Sequence, residues 1–84
     1  PRSLDAWECT IRALFRCAQL SREASVEAFA LLERAVELDP GYAQAQGLMA
    51  WTLIWRALQG FEPMGRAIER ANAAIGRGIA ADDL

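Results

Sequence analysis

The chain has 84 residues, enough for one small domain with a core of limited size. Its formal net charge is −2, which argues against a nucleic-acid-binding surface. It contains no histidine, which excludes the Ser/His and Cys/His pairs of nucleophilic catalysis. No glycine-rich phosphate loop follows a strand pattern either. We therefore expect no enzyme activity, no cofactor and no metal site in this segment.

The two cysteines predict a reducing environment. Cys9 and Cys17 are eight residues apart. On one helix this places them about 12 Å apart along the axis, whereas a disulfide needs Cα atoms within about 7 Å. No Cys-x-x-Cys spacing suggests zinc. Charges interrupt the first apolar run, so no signal peptide is expected. Together these features predict a cytoplasmic protein.

The termini suggest a piece of something larger. The chain begins at Pro1 without an initiator methionine, and it ends at Leu84 directly after two aspartates. We expect a single helical domain over residues 1–84 within a longer chain. The low share of β-branched residues favours an all-α fold.

The first helix is predicted over residues 4–19, with Ser3 as its N-cap. Three- and four-residue steps give it one apolar face, which we expect to be buried: Leu4, Trp7, Ile11, Leu14, Phe15 and Ala18. Arg12 and Arg16 lie mostly opposite. They either form a solvated face or contact an acidic partner.

The second helix is predicted over residues 22–38, and Ser21 is its expected cap. It must stop at Asp39-Pro40, because the residue before a proline is pushed out of the α region. Its expected core positions are Ala24, Ala28, Leu31, Leu32, Ala35 and Leu38, widened by Val26, Phe29 and Val36.

The third helix, predicted over residues 42–59, is the centre of the pattern. No charged residue occurs from Gly41 to Trp55, and the part from Leu48 to Trp55 is apolar on every side. A helix of this kind must be covered on several sides. Its fully apolar run is too short for a membrane span. We therefore expect a buried central helix, ended by a C-terminal cap at Gly60.

The fourth helix is predicted over residues 64–80, and Pro63 is suited to its first turn. Its expected apolar face consists of Ile68, Ala71, Ile75 and Ile79, with Ala67 and Ala74 beside them. Gly76 and Gly78 weaken a helix. They indicate either close packing against a neighbour or early fraying.

The second and fourth helices share a pattern at a constant separation of 43 residues. Small residues, a large apolar residue and a helix stop recur in the same order, and the matched pairs are Ala28 with Ala71, Leu32 with Ile75, Ala35 with Gly78 and Pro40 with Asp83. A helical pair repeated at a fixed period is typical of an α-solenoid. Ala28 and Ala71 are therefore expected at close helix contacts.

These residues carry a resemblance to the tetratricopeptide repeat (TPR). The run from Ala28 to Pro40 resembles its second helix nearly position by position. The segment from Tyr42 to Ala45 resembles the start of the next unit, with packing residues at Met49, Ala50 and Leu53. The resemblance covers most of the chain. It implies a TPR-like α-solenoid fragment of about two repeats, at residues 3–40 and 41–84.

A narrower resemblance rests on Ala6-Trp7-Glu8 and on the run from Glu33 to Tyr42. Both are similar to the repeat region that follows adenylate cyclase-like or winged-helix domains in bacterial signalling proteins. Two features depart from the family. The period is 43 residues instead of about 34, and Asp83 replaces the closing proline. Periods of about 40–47 suit HEAT-like helix pairs, so that fold is the alternative.

The family lines a concave groove with the first helix of each pair. By resemblance, the partner-binding residues of the second pair are Gln44, Gly47, Trp51, Ile54 and Trp55. Tryptophan is enriched at such contacts. The alternative is that Trp51 and Trp55 belong to the core or are covered by a following repeat. The Lys/Asn/Arg set that grips a peptide carboxylate in chaperone-binding members is absent.

The expected function is a non-catalytic protein–protein interaction or regulatory module, with a protein or peptide as partner and neither nucleic acid nor membrane. One alternative is self-association, forming a homo-oligomer through the apolar surface around Trp51 and Trp55. Another is an accessory segment of an adenylate cyclase-like enzyme or transcriptional regulator whose active domain lies elsewhere. The self-association hypothesis competes with a 61–64 loop that folds back over the tryptophans.

Overall fold

Four α-helices and no strand make up residues 3–82, the part of the chain that the computed structural model describes. They are α1 (Leu4–Cys17), α2 (Arg22–Leu38), α3 (Ala43–Leu58) and α4 (Met64–Asp82). The predicted all-α class is confirmed, and each predicted helix lies within two residues of its observed bounds. The proposed repeat match between Pro40 and Asp83 cannot be compared, because Asp83 lies outside the described residues.

The helix starts follow the predicted caps. The backbone N–H of Ala6 donates to Ser3 Oγ at 3.1 Å, and that of Ala24 donates to Ser21 Oγ at 3.1 Å. Each serine thereby satisfies a backbone donor that has no partner within its own helix.

The end of α3 depends on Gly60, as predicted. Gly60 has a φ of 81°. Its N–H donates to Ala57 O at 3.0 Å, and the N–H of Phe61 donates to Arg56 O at 2.9 Å. This pair of bonds is the Schellman motif, which needs the left-handed backbone that glycine adopts without steric cost. The motif directs Phe61 back toward α3.

The helices pack chiefly as two pairs, α1 with α2 and α3 with α4, and α2 joins the pairs by packing on α3. Connections of four and five residues make the partners in each pair antiparallel. The described chain extends 35 × 23 × 16 Å. None of its helices has the length and apolar composition that crossing a membrane requires.

Small residues form the contact inside each pair. The small buried residues of these three helices are Ala6, Thr10, Ala13 and Cys17 on α1; Ala24, Ser25, Ala28 and Ala35 on α2; and Ala67, Ala71, Ala74 and Gly78 on α4. Because these side chains are short, the helix axes can approach closely and bury a continuous seam. The expected burial of Ala28 and Ala71 is confirmed.

The predicted core face of α1 is wrong. Leu4 is 84% exposed, Phe15 69%, Leu14 52% and Trp7 47%. The seam with α2 lies on another side of the helix, where the residues are small. Periodicity identifies an apolar face but does not tell which face meets the neighbour within the chain. On α2 the predicted core positions are buried or half-buried, and only Val26, at the edge of the stripe, is largely exposed.

The predicted face of α4 needs the same correction. Its alanines are buried, but the three isoleucines are not. We name the exposed row the α4 stripe: Met64, Ile68, Ile75 and Ile79. Gly78 packs closely on α3, since a Cβ there would lie 3.5 Å from Gln46 Cβ, whereas nothing lies within 4 Å at Gly76. Close packing therefore accounts for Gly78 alone, and α4 continues to Asp82.

The prediction that α3 is covered on several sides is correct only in part. Its buried residues are Ala45, Gln46, Met49, Ala50, Thr52, Leu53 and Ala57. On its other side, Trp51 is 46% exposed and Leu58 is 67% exposed. One apolar side of the central helix therefore remains open.

Candidate functional site

All five residues expected to bind a partner lie on the open side of α3. Gln44, Gly47 and Trp51 are exposed, and Ile54 and Trp55 are half-buried. The helix brings them together because they recur at three- and four-residue steps. The site they form carries no charge.

Three aromatic rings join on this side of α3. Trp51 and Trp55 stack with ring centroids 6.4 Å apart and an angle of 16° between the rings. Phe61 meets Trp55 edge-on, with centroids 5.8 Å apart. The loop after α3 thus folds back over Trp55, as one alternative anticipated, but it leaves Trp51 almost half exposed.

A mostly buried ion pair holds that loop in place. Arg56 Nε donates to Glu62 Oε2 at 3.0 Å, and the two side chains are 14% and 15% exposed. Arg56 Nη1 also donates to Ser25 Oγ on α2 at 2.6 Å. The guanidinium groups of Arg22 and Arg56 lie 5.6 and 6.0 Å from the Phe61 ring centroid. Arg56 therefore connects α2, α3 and the loop that covers Trp55.

Sequence reasoning missed this pair because its spacing of six residues matches no helical side-chain rule. The available signal was the position of Arg56, the first charge after a long uncharged run. Glu62 Oε1 is buried without a hydrogen bond. Arg70 Nη1 lies 3.9 Å from this oxygen.

The open side of α1 corresponds to the open side of α3. The buried positions of α1 have counterparts 40 residues later that are also buried: Ala6 and Gln46, Thr10 and Ala50, Ala13 and Leu53, Cys17 and Ala57. In this register Ile11 corresponds to Trp51, Leu14 to Ile54 and Phe15 to Trp55. We name this set the first-helix face: Leu4, Trp7, Ile11, Leu14 and Phe15 on α1, with Gln44, Gly47, Trp51, Ile54 and Trp55 on α3.

The two halves of the first-helix face belong to helices in contact. Cys17 Sγ lies 3.4 Å from Thr52 Oγ1, and both residues are buried. Thr52 Oγ1 also donates to Leu48 O at 2.8 Å, so Cys17 Sγ is the donor of the contact between the helices. Both cysteines lie on α1 and are free.

Gln46 is a structural residue that the sequence pattern did not single out. Its side chain is buried; Nε2 donates to Pro40 O at 3.3 Å, and Oε1 accepts from Arg77 Nε at 3.2 Å. A buried amide of this kind is stabilising only when both of its ends are bonded. Gln46 therefore holds the loop before α3 and the second half of α4 to the start of α3.

A cleft runs between α2 and α4 over α3. Its larger part has a volume of about 260 Å³ and is lined by both signs of charge, including Glu33, Arg56, Glu62 and Arg70. Arg70 lies over the Phe29 ring at 5.1 Å from its centroid. Arg70 thereby closes part of the space between the two helices.

Of the two arginines of α1, Arg16 pairs with Glu27 of α2 at 3.1 Å, and Arg12 is exposed.

The described residues contain no cluster of three or more His, Cys, Asp or Glu side chains that could hold a metal ion. The candidate site in this range is the aromatic first-helix face, whose named residues are uncharged and whose α1 half has the exposed Glu8 beside it. No protein-family model, no curated protein and no solved structure matches this chain.

Proposed function

We propose that this chain is a non-catalytic protein–protein interaction module of the tetratricopeptide type. The observation that carries the proposal is the first-helix face, a row of exposed aromatic and aliphatic side chains on α1 and α3. Trp7, Phe15 and Trp51 are 47%, 69% and 46% exposed. Several exposed large apolar side chains on one helix face often mark an interaction site.

The repeat assignment is supported by the burial pattern. Ala28 and Ala71 are buried, and so are Ala35 and Gly78, each pair 43 residues apart. In a tetratricopeptide array the first helices line the concave groove, and here the first helices carry the exposed face. A HEAT-like arrangement is the alternative fold, since its period of about 40–47 residues includes this spacing.

The chemistry of the face defines the partner. It offers two stacked indoles and several aliphatic groups without a charge, so it suits a protein helix or peptide that presents apolar side chains. Tryptophans are common energetic centres of such contacts. A ligand recognised mainly by a terminal carboxylate is not expected, because the face carries no arginine to pair with it. Nucleic acid and membrane are not proposed as partners.

Within this proposal the module is bacterial, cytoplasmic and regulatory. It would serve signalling by holding a partner near an adenylate cyclase-like or DNA-binding domain in the same polypeptide. Its neighbouring domain in the full-length chain distinguishes this accessory role from that of a free-standing adaptor.

The test is a titration of the ¹⁵N-labelled protein with three amphipathic helical peptides. The peptides share one Leu- and Trp-rich face and differ in their polar face, which is acidic, basic or neutral. We expect saturable shifts of α1 and α3 amides with at least one peptide, and a loss of about tenfold or more in affinity for Trp51→Glu. Ile75→Glu on α4 is the matched control and should bind as the wild type does.

Two results would contradict the proposal. One is the absence of saturable binding by any of the three peptides. The other is a set of shifts confined to α2 and α4, with Trp51→Glu binding as well as the wild type.

A further inference from the structure

The residues of the α4 stripe correspond to positions of α2 that another helix covers. At a separation of 43 residues, Ile68 corresponds to Ser25, Ile75 to Leu32 and Ile79 to Val36. Ser25 and Leu32 are buried and Val36 is half-buried. α3 packs along this side of α2, where Arg56 reaches Ser25. The three isoleucines are 46%, 45% and 57% exposed, and no other helix among residues 3–82 covers them.

We propose that a second copy of this chain covers the α4 stripe, by antiparallel packing of α4 against α4 about a two-fold axis. The proposal does not rest on the proposed function, which concerns the face on α1 and α3. It assigns the stripe to self-association and leaves the first-helix face to another partner.

The charges around α4 favour this occupant. The residues that border the stripe on its outer side are Gly65, Asn72 and Gly76, which are uncharged and exposed. Two of the three arginines of α4 project toward the cleft instead: Arg70 lies over Phe29, and Arg77 binds Gln46. The stripe and this border therefore bring no charge into an α4–α4 contact, and the exposed Glu69 lies just beyond the border. Nothing lies within 4 Å of a Cβ at Gly65 or Gly76, so this border leaves room for a neighbouring helix.

The spacing of the stripe is self-complementary. In an antiparallel pair centred between Ala71 and Asn72, Met64 meets Ile79 of the other copy and Ile68 meets its Ile75. The two exposed Asn72 side chains then lie beside the axis, where amide pairs favour one register. Such an isologous contact closes after two copies.

Helix α1 of a second copy is a poor fit for the α4 stripe. If α1 of a second copy docked as α3 docks on α2, its contacting positions would be the counterparts of the buried α3 residues in line with Arg56, which binds Ser25 of α2: Ala45, Met49 and Thr52. In the register set by the buried residues these are Asp5, Cys9 and Arg12. Placing Asp5 and Arg12 on isoleucines would desolvate charges without partners. A head-to-tail chain of copies is thus disfavoured, and the α4–α4 pair remains.

The exposed apolar area of the stripe limits the affinity expected for this dimer. Four half-exposed side chains offer a few hundred Å² per copy, which is below the standard interface of about 800 Å² per partner. A reversible dimer at micromolar to high micromolar concentration is expected.

The first experiment is sedimentation velocity over a range of concentrations for the wild type, Ile75→Glu and Trp51→Glu. Because Ile75 and Trp51 are both almost half exposed, each variant should fold, and circular dichroism checks this. We expect Ile75→Glu to raise the dimer dissociation constant about tenfold or more, and Trp51→Glu to leave it unchanged. A monomeric wild type at high micromolar concentration, or a dimer broken only by Trp51→Glu, would overturn the proposal.

The second experiment tests the register by oxidation. Ile68→Cys and Ile75→Cys are made separately in a Cys9→Ser background, then mixed and oxidised gently. The antiparallel pair should give mainly the 68–75 mixed disulfide, because like positions lie about 10 Å apart along the axis, beyond disulfide reach. A majority of 68–68 and 75–75 products would indicate a parallel pair, and no disulfide at all would show that α4 helices do not meet. Either result refutes the proposed arrangement.

Discussion

Helices α2 and α4 bury similar small residues on one side, but they differ in the burial of the large residues on the adjoining side. Each has small buried residues against the first helix of its own pair, and these residues recur 43 positions apart. On the adjoining side, however, Leu32 is fully buried while its counterpart Ile75 is 45% exposed. The small residues thus define the contact within a pair. The large residues show whether a further helix covers that side.

The largest expected effect separates the two counterparts directly. Leu32→Ala should cost about 2–5 kcal/mol in the free energy of unfolding, because it leaves a cavity where α2 meets its neighbours. Ile75→Ala, at the equivalent position, should cost less than about 1 kcal/mol, since the side chain is already half in water. Urea denaturation at concentrations where the protein is monomeric checks both. Equal losses would mean that α4 is covered as α2 is.

Breaking the polar link of α2 to α3 should come next. Arg56→Met leaves Glu62 without its main partner and Ser25 without its donor, so we expect a loss of about 2–3 kcal/mol. Arg34→Met is the control, because its pair with Glu37 joins side chains that are 62% and 68% exposed. That variant should change stability by about 0.5 kcal/mol or less. A similar loss in both variants would contradict the role given to Arg56.

The similarity between the two helices is tested by overpacking. Ala28→Leu and Ala71→Leu should each cost about 1–3 kcal/mol, because each places a large side chain in a seam built for small ones. Ala80→Leu, at an exposed position of α4, should change little. If Ala28→Leu leaves the denaturant midpoint unchanged, the small-residue seam and the repeat register are both wrong.

The smallest effects concern the two glycines of α4. Gly76→Ala should raise stability by about 0.5–1 kcal/mol, since nothing lies near the added methyl group and alanine favours the helix. Gly78→Ala should gain less, because its Cβ would contact Ala43 at 3.6 Å. Gly78→Val should be less stable than Gly76→Val in the same denaturation assay. Equal behaviour at the two sites would show that α4 does not pack closely on α3 at Gly78.

The sequence was sufficient for the helices but not for their orientation. Ser3, Ser21, Pro40 and Gly60 act locally, so the ends they control could be predicted to within two residues. The side on which α1 packs depends on α2, and the helical period cannot reveal it. Ala6, Thr10 and Ala13 are too small to stand out against Trp7 and Phe15, yet they are the residues that are buried.

The candidate site divides in the same way. Trp51 and Trp55 could be identified because they lie in a long uncharged run, and the structure places them together on one side of α3. Arg56, Glu62 and Gln46 could not be identified, since their partners are set by the loop and by α2 and α4. Leu20 is similar: its φ of 51° is unusual for a residue with a side chain, and no pattern signalled it.

The ring geometry at the end of α3 gives the molecule distinct optical properties. Two indoles 6.4 Å apart and nearly parallel are close enough for their electronic transitions to mix, whereas Trp7 lies on another helix. The near-ultraviolet spectrum should therefore contain a signal from a coupled pair beside that of a solitary chromophore. Because the coupling depends on the relative orientation of the two indoles, a change that moves Phe61 and lets Trp55 turn should alter this near-ultraviolet signal.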